Sequence, residues 1–259
     1  MKRFIFIILT FLFASVIQAQ TKSEAVSYTD GDLELEGKFV YDKLLKSKRG
    51  GILLVHDVNG RDEFISKKAE ELAELGYVVF IADMYGKGIL PKDDAEAEDL
   101  SEPFLGEDRQ LMRSRAKAGL DILVNHKKVD DRRLAAMGYG FGGQTVLELA
   151  RSGENLTAVI CFYGNLSTPA PQDANNIKGS ILILNGSDDT KISNEEMIAF
   201  QNEMRDANVD WQIIIYGGAV HGFSKYSLGF DTASGKAYNY NADKRSWEAV
   251  KSILREKLK

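Results

Sequence analysis

The 259-residue chain contains a single cysteine, Cys161, and three histidines, His56, His126 and His221. A lone cysteine cannot close an internal disulfide, and these four residues show no zinc-type spacing. No metal and no other cofactor is therefore expected. Long basic runs are also missing: 33 Lys and Arg stand against 38 Asp and Glu, for a net charge of −5, so the electrostatic footprint of a nucleic-acid binder is absent. No apolar run reaches the ~20 residues needed to cross a bilayer. The nearest, residues 4–17, follows Lys2 and Arg3 and precedes Gln18-Ala19-Gln20, which is the three-part pattern of a secretory signal peptide. Residues 1–20 are expected to be removed on export. Residues 21–259 are then expected to act in the periplasm or the medium, without stable membrane association. No stretch reads as a linker and no repeat is present, so 21–259 is expected to be one domain.

What the chain does have is a rhythm of apolar runs. Val26-Ser27-Tyr28 and Leu33-Glu34-Leu35-Glu36-Gly37-Lys38-Phe39-Val40 flank Asp30-Gly31, a hairpin signal. Continuous apolar runs follow at residues 51–56, 77–82, 133–137, 158–163, 180–185 and 211–216. Between and after them, residues 64–75, 111–124, 144–151, 194–205 and 243–258 repeat at helical spacing. Apolar strands alternating with helices imply a mostly parallel sheet covered on both faces, a three-layer α/β fold. Cys161 lies inside one of those runs and is expected to be a small core hydrophobe. Two stretches break the rhythm: the acidic residues 91–107, expected as an excursion over the sheet edge, and residues 224–241, expected as a surface loop. His126, beside Lys127 and Lys128, is expected to be a helix-end histidine without a catalytic part.

Ligands of open α/β sheets bind beyond the carboxyl ends of the strands, so the polar residues that follow each strand are the candidates. After residues 133–137 comes Gly138-Tyr139-Gly140-Phe141-Gly142-Gly143, followed by a helical segment. Strand, glycine-flanked turn and helix form the setting of a nucleophile elbow, in which a tight turn lifts a Ser or Cys above the sheet. Here Gly140 occupies the nucleophile position and has no side chain to lift. Further candidates are His56-Asp57, Asp188-Asp189 and His221, each just after a strand. Nucleophile position, acid, then histidine is the chain order of a hydrolase triad on this kind of sheet. Asp188 and Asp189 are also common turn residues, and His56-Asp57 could cap the helix that follows. Tyr85 and Lys87, in Asp83-Met84-Tyr85-Gly86-Lys87-Gly88, are candidates for the rim of a substrate site.

Gly138-Tyr139-x-Phe141-Gly142-Gly143, Gly186-x-x-Asp189, Gly217-Gly218-Ala219-Val220-His221-Gly222-Phe223 and Ser246-Trp247 together resemble the dienelactone hydrolase family, over essentially all of residues 21–259. The resemblance implies an α/β-hydrolase fold and hydrolysis of small carboxylic esters or lactones. In that family the elbow reads G-x-C-x-G-G, and its cysteine thiolate attacks the carbonyl. By resemblance His221 is the general base, Asp189 the carboxylate that orients it, and the backbone N–H groups of Phe141 and Val58 form the oxyanion hole. Asp57 matches a position where the family usually has a glutamate that interacts with the resting thiol. The chain departs from this pattern at Gly140, and again in the shorter acid at 57. Three readings stay open at this point. One is a slow hydrolase in which His221 activates water in the space left at Gly140; another is a non-catalytic ligand-binding protein on the same scaffold, a pseudoenzyme. In the last, Gly140 is a single-base variant of a Cys or Ser codon.

Overall fold

The computed structural model describes residues 20–259; apart from Gln20, the expected signal peptide lies outside them. Eight strands form one sheet: β1 (Thr21–Asp30), β2 (Leu33–Asp42), β3 (Arg49–Val55), β4 (Val78–Ile81), β5 (Val129–Tyr139), β6 (Ala158–Phe162), β7 (Ser180–Gly186) and β8 (Trp211–Tyr216). Their spatial order is β1-β2-β4-β3-β5-β6-β7-β8. The β1–β2 hairpin is antiparallel and β2 joins β4 antiparallel; every later pairing is parallel. This is the mostly parallel α/β-hydrolase sheet expected from the apolar runs.

Among the described residues six helices cover it: α1 (Glu63–Glu74), α2 (Asp94–Ser101), α3 (Gln110–Val124), α4 (Phe141–Arg151), α5 (Asn194–Asp206) and α6 (Tyr240–Leu258). Successive side chains of a strand point to opposite faces, and β3 shows the consequence. Ile52 and Leu54 pack with Ile65 and Leu72 of α1 and Val250 and Leu254 of α6. Leu53 and Val55 pack instead with Met112 and Leu120 of α3, Val146 and Leu147 of α4 and Phe200 of α5. Both faces are therefore buried, which is why these strands read as unbroken apolar runs. Cys161 faces the second of these layers, fully buried, and burial pushes its thiol pKa up to about 12.

Three expectations need correction. Residues 91–107 are not a bare excursion: Asp93 caps α2 by accepting from the Glu96 N–H, and a 3-10 turn, Glu102–Leu105, follows. The acidic first turn, Asp94 and Glu96, suits the positive end of the helix dipole. Strand β5 begins at Val129 rather than at Leu134's neighbour Arg133, because a register shift between Gly50 and Gly51 lets Arg49 and Gly50 pair with Val129 and Asp130. The charged residues Asp130 to Arg133 hid this extension from a reading based on apolar content. Residues 224–241 include two 3-10 turns, Tyr226–Leu228 and Thr232–Ser234, and an isolated bridge from Lys236 to His221, so the loop is attached to the site rather than merely lying on the surface.

Candidate active site

The turn between β5 and α4 is built around Gly140, with φ +51° and ψ −116°. A positive φ of this kind favours glycine. Its N–H donates to Phe162 O at 2.9 Å and its carbonyl accepts from Gln144 N at 3.1 Å, so the turn is held from both sides. Gly142 is required for another reason: a Cβ there would lie 2.3 Å from Val55 O and 2.5 Å from His56 O. The elbow and the end of β3 thus touch backbone to backbone, and this contact delivers Asp57 to Gly140.

Asp57 occupies the place where the sequence implied empty space. A Cβ built on Gly140 would meet Asp57 Oδ1 at 2.1 Å, Cγ at 2.6 Å and Oδ2 at 2.8 Å. Asp57 Oδ1 accepts from Val58 N at 2.8 Å and from Phe141 N at 3.0 Å. These are the two amides that the resemblance assigns to the oxyanion hole. The expected gap at Gly140 is therefore filled by a carboxylate, because aspartate on the neighbouring loop is not held off by any elbow side chain.

The loop that carries Asp57 is pinned from below. His56 is fully buried; its Nε2 accepts from Met84 N at 3.2 Å, which leaves Nδ1 to donate to Asp57 O at 2.8 Å. Burial lowers the His56 pKa, countered in part by the Asp57 carbonyl and the Asp83 charge, so the neutral ring is favoured. Tyr85, buried, donates its hydroxyl to Val58 O at 3.0 Å and so holds the Val58–Asn59 peptide, while the His56 bond to Asp57 O holds the peptide that presents the Val58 N–H.

Opposite this loop, His221 follows β8 and Asp189 follows β7. Asp189 Oδ2 lies 2.9 Å from His221 Nδ1, and its Oδ1 accepts from Lys191 N at 3.0 Å. A carboxylate at Nδ1 assigns the proton to that nitrogen and leaves Nε2 as the basic one. Asp57, Val58, Gly140, Phe141 and His221 line one cavity of about 420 Å³. Its walls also include Asp94, Ser101 and Leu105 from the α2 region and Lys225 and Lys236 from residues 224–241. Lys225 is anchored there by Asp62 at 2.7 Å.

Not every candidate is brought to this cavity. Lys87 is exposed and pairs with Glu34 of β2 at 2.6 Å, outside the lining, because the turn after Asp83 runs toward the antiparallel edge. Tyr85 supports the wall from behind and is not part of it. Asp188 turns outward and accepts from the Ser187 hydroxyl at 2.6 Å. His126 stacks on Phe39 at 4.3 Å, away from the site. Among the described residues no group of three His, Cys, Asp or Glu could hold a metal ion.

Tyr163 is the residue that sequence reading missed. It has φ +38°, an uncommon value for a side chain of its size,. Its ring meets the His221 imidazole edge-on at 5.1 Å, and its hydroxyl shares a 2.9 Å hydrogen bond with Ser224. Burial, reinforced by the Asp57 charge, holds its pKa far above the usual tyrosine range. The signal was available: Tyr163 is the first residue after β6, the same position relative to a strand that marked the other candidates.

The dienelactone hydrolase family pattern matches residues 39–258, and the chain belongs to the dienelactone hydrolase family. It is similar to the dienelactone hydrolase-like promiscuous phosphotriesterase P91 from metagenomic libraries, with 36% identity, a TM-score of 0.88, and coverage of 92% of this chain and 99% of that one. A second solved structure, m3DLH, is 35% identical over 92% of this chain and 99% of its own, with a TM-score of 0.87. An uncharacterized protein of Caenorhabditis elegans, K02A2.1, is 34% identical over 148 residues, 56% of this chain and 93% of the relative.

Proposed function

We propose that this chain hydrolyses small carboxylic esters or lactones without a cysteine or serine acyl-enzyme. The carrying observation is that His221, paired with Asp189 at 2.9 Å, lines the same cavity as the bare elbow residue Gly140. Asp189 orients the imidazole and stabilises it when charged. Nε2 of His221 removes a proton from a water molecule in the cavity, and that water oxygen adds to the substrate carbonyl carbon. Stabilising the resulting oxyanion requires Phe141 N–H and Val58 N–H, so the Asp57 carboxylate must rotate off them during acyl chemistry. Both features make the reaction slow. Hydrolases stripped of a triad member retain ~10³ to 10⁴-fold acceleration over water, and a rate of that order is expected here.

The test is steady-state hydrolysis of p-nitrophenyl butyrate and dihydrocoumarin by wild type and His221→Gln. Turnover that disappears in His221→Gln supports the reading; a wild-type rate equal to that of heat-inactivated protein overturns it. A second reading, binding without turnover, is favoured by the occupation of both amides by Asp57. It predicts that lactones and aromatic acids raise the melting temperature while no product forms. The named activity of P91 makes phosphotriesters a third substrate class for the same assay.

A further inference from the structure

The Asp57 carboxylate is the one reactive group at the elbow for which acyl hydrolysis has no use, and its placement is that of a nucleophile. One oxygen, Oδ1, is seated on Val58 N–H and Phe141 N–H at 2.8 and 3.0 Å. The other, Oδ2, has no hydrogen-bond partner among the described residues and lies 2.8 Å from where a side chain on Gly140 would begin. The Asp57 carboxylate from the β3 loop thus occupies the place of the missing elbow side chain, with the amide-bound Oδ1 nearest to that point at 2.1 Å and the unengaged Oδ2 beside it. We infer that Asp57 is a catalytic nucleophile that takes an alkyl group from a substrate whose leaving group is stable as an anion, an alkyl halide or sulfonate. This rests on the reading of His221 as the base that activates water.

Occupation of the two amides is what separates alkyl from acyl substrates. Attack on a carbonyl carbon creates a new oxyanion, and its donors are already engaged by Oδ1. Attack on a saturated carbon creates none. An Oδ2 lone pair forms the C–O bond as the bond to the leaving group breaks, and the negative charge passes from the carboxylate to the departing anion. The product is an alkyl ester of Asp57 whose carbonyl oxygen, Oδ1, is still held by both N–H groups. His221 Nε2 next takes a proton from water while the water oxygen adds to Asp57 Cγ. Oδ1 becomes the oxyanion in a hole that already encloses it. Collapse breaks the bond from Cγ to Oδ2, and the leaving alkoxide receives the proton from His221. Alkyl halide and water become alcohol, halide and a proton, and the water oxygen stays in the carboxylate. His56 and Tyr85, which fix the Asp57 and Val58 carbonyls, keep the loop in register through both steps.

The full-length wild type, His221→Gln and Asp57→Asn, each checked by thermal melting, are exposed to excess 1-iodobutane, and their digests are weighed by mass spectrometry. His221→Gln is expected to accumulate one butyl group per chain on Asp57, since the ester forms and is not hydrolysed. Wild type in heavy-oxygen water is expected to carry label in the Asp57 carboxylate, with unlabelled butanol in the first turnover. No Asp57 adduct in His221→Gln above that on exposed Asp188, or labelled butanol in the first turnover, overturns the inference. p-Nitrophenyl butyrate is assayed in parallel. His221-dependent ester hydrolysis without an Asp57 adduct removes the nucleophile and leaves the base; no His221-dependent turnover of either compound removes both.

Discussion

The two ends of α4 each bury carboxylates beside cationic or proton-donating partners, and they differ in how completely those groups are satisfied. At the C-terminal end Arg151, fully buried, gives two parallel 2.8 Å bonds to Glu203, one of 2.9 Å to Glu148 and one to Leu166 O. Glu148 is completed by Arg113 at 2.7 Å, which also holds Asp173. At the N-terminal end Asp57 Oδ1 is satisfied by two N–H groups, while Oδ2 has no hydrogen-bond partner among the described residues, and Asp57 and His221 both line the cavity. A charge enclosed on every side can only hold elements together: here it joins α3, α4 and α5. A charge with one atom left free, beside room for a substrate, is equipped to react.

Removing a partner from the closed cluster should produce the largest effect. Arg151→Ala leaves Glu203 without its cation and Glu148 with Arg113 alone, and breaking a buried pair in this way costs about 3–5 kcal/mol. Chemical denaturation measures it, and a loss below about 1 kcal/mol, the value of a surface pair, would show that the two ends are not so different.

At the open end the expected effect is an interaction between two positions. Gly140→Cys places a Cβ 2.1 Å from Asp57 Oδ1, so the new side chain and the carboxylate compete for one space. Gly140→Cys alone should be destabilised and label slowly with iodoacetamide, and Asp57→Gly in the same chain should relieve both defects. A double-mutant cycle should give a coupling of about 0.5–3 kcal/mol, as for residues in contact. Additive stabilities would mean that Asp57 does not occupy the elbow in solution.

The smallest effect concerns pH. Burial depresses the His56 pKa below its value in the unfolded chain. The unfolded ring therefore gains a proton near its ordinary pKa of about 6.5 while the folded ring does not. The contribution of His56 to stability is complete above that value and declines as pH falls through the folded pKa. Melting curves between about pH 7.5 and 5 should slope accordingly, and His56→Gln should flatten the slope even if it lowers every melting temperature. An unchanged slope would assign the pH dependence elsewhere.

Much of this could be read from residue order. β8 runs from Trp211 to Tyr216, as its apolar residues predict; the hairpin, every helix except α2, and the positions of Asp189 and His221 after their strands were legible for the same reason. Tyr163 was overlooked because its aromatic side chain reads as strand, whereas its backbone has already turned to φ +38°. Lys87 was misplaced because a loop's direction depends on what it packs against, here Glu34.

Sequence alone determined the family, the layered fold and the absence of a side chain at the elbow, since periodicity, glycine spacing and residue identity are local properties of the chain. Only the tertiary structure decided that the elbow is not empty. Asp57 reaches Gly140 across 82 residues of intervening chain because Gly142 lets β3 and α4 meet at backbone distance. Such a contact is fixed by the packing of two elements against each other, and it leaves no mark in the local pattern of either.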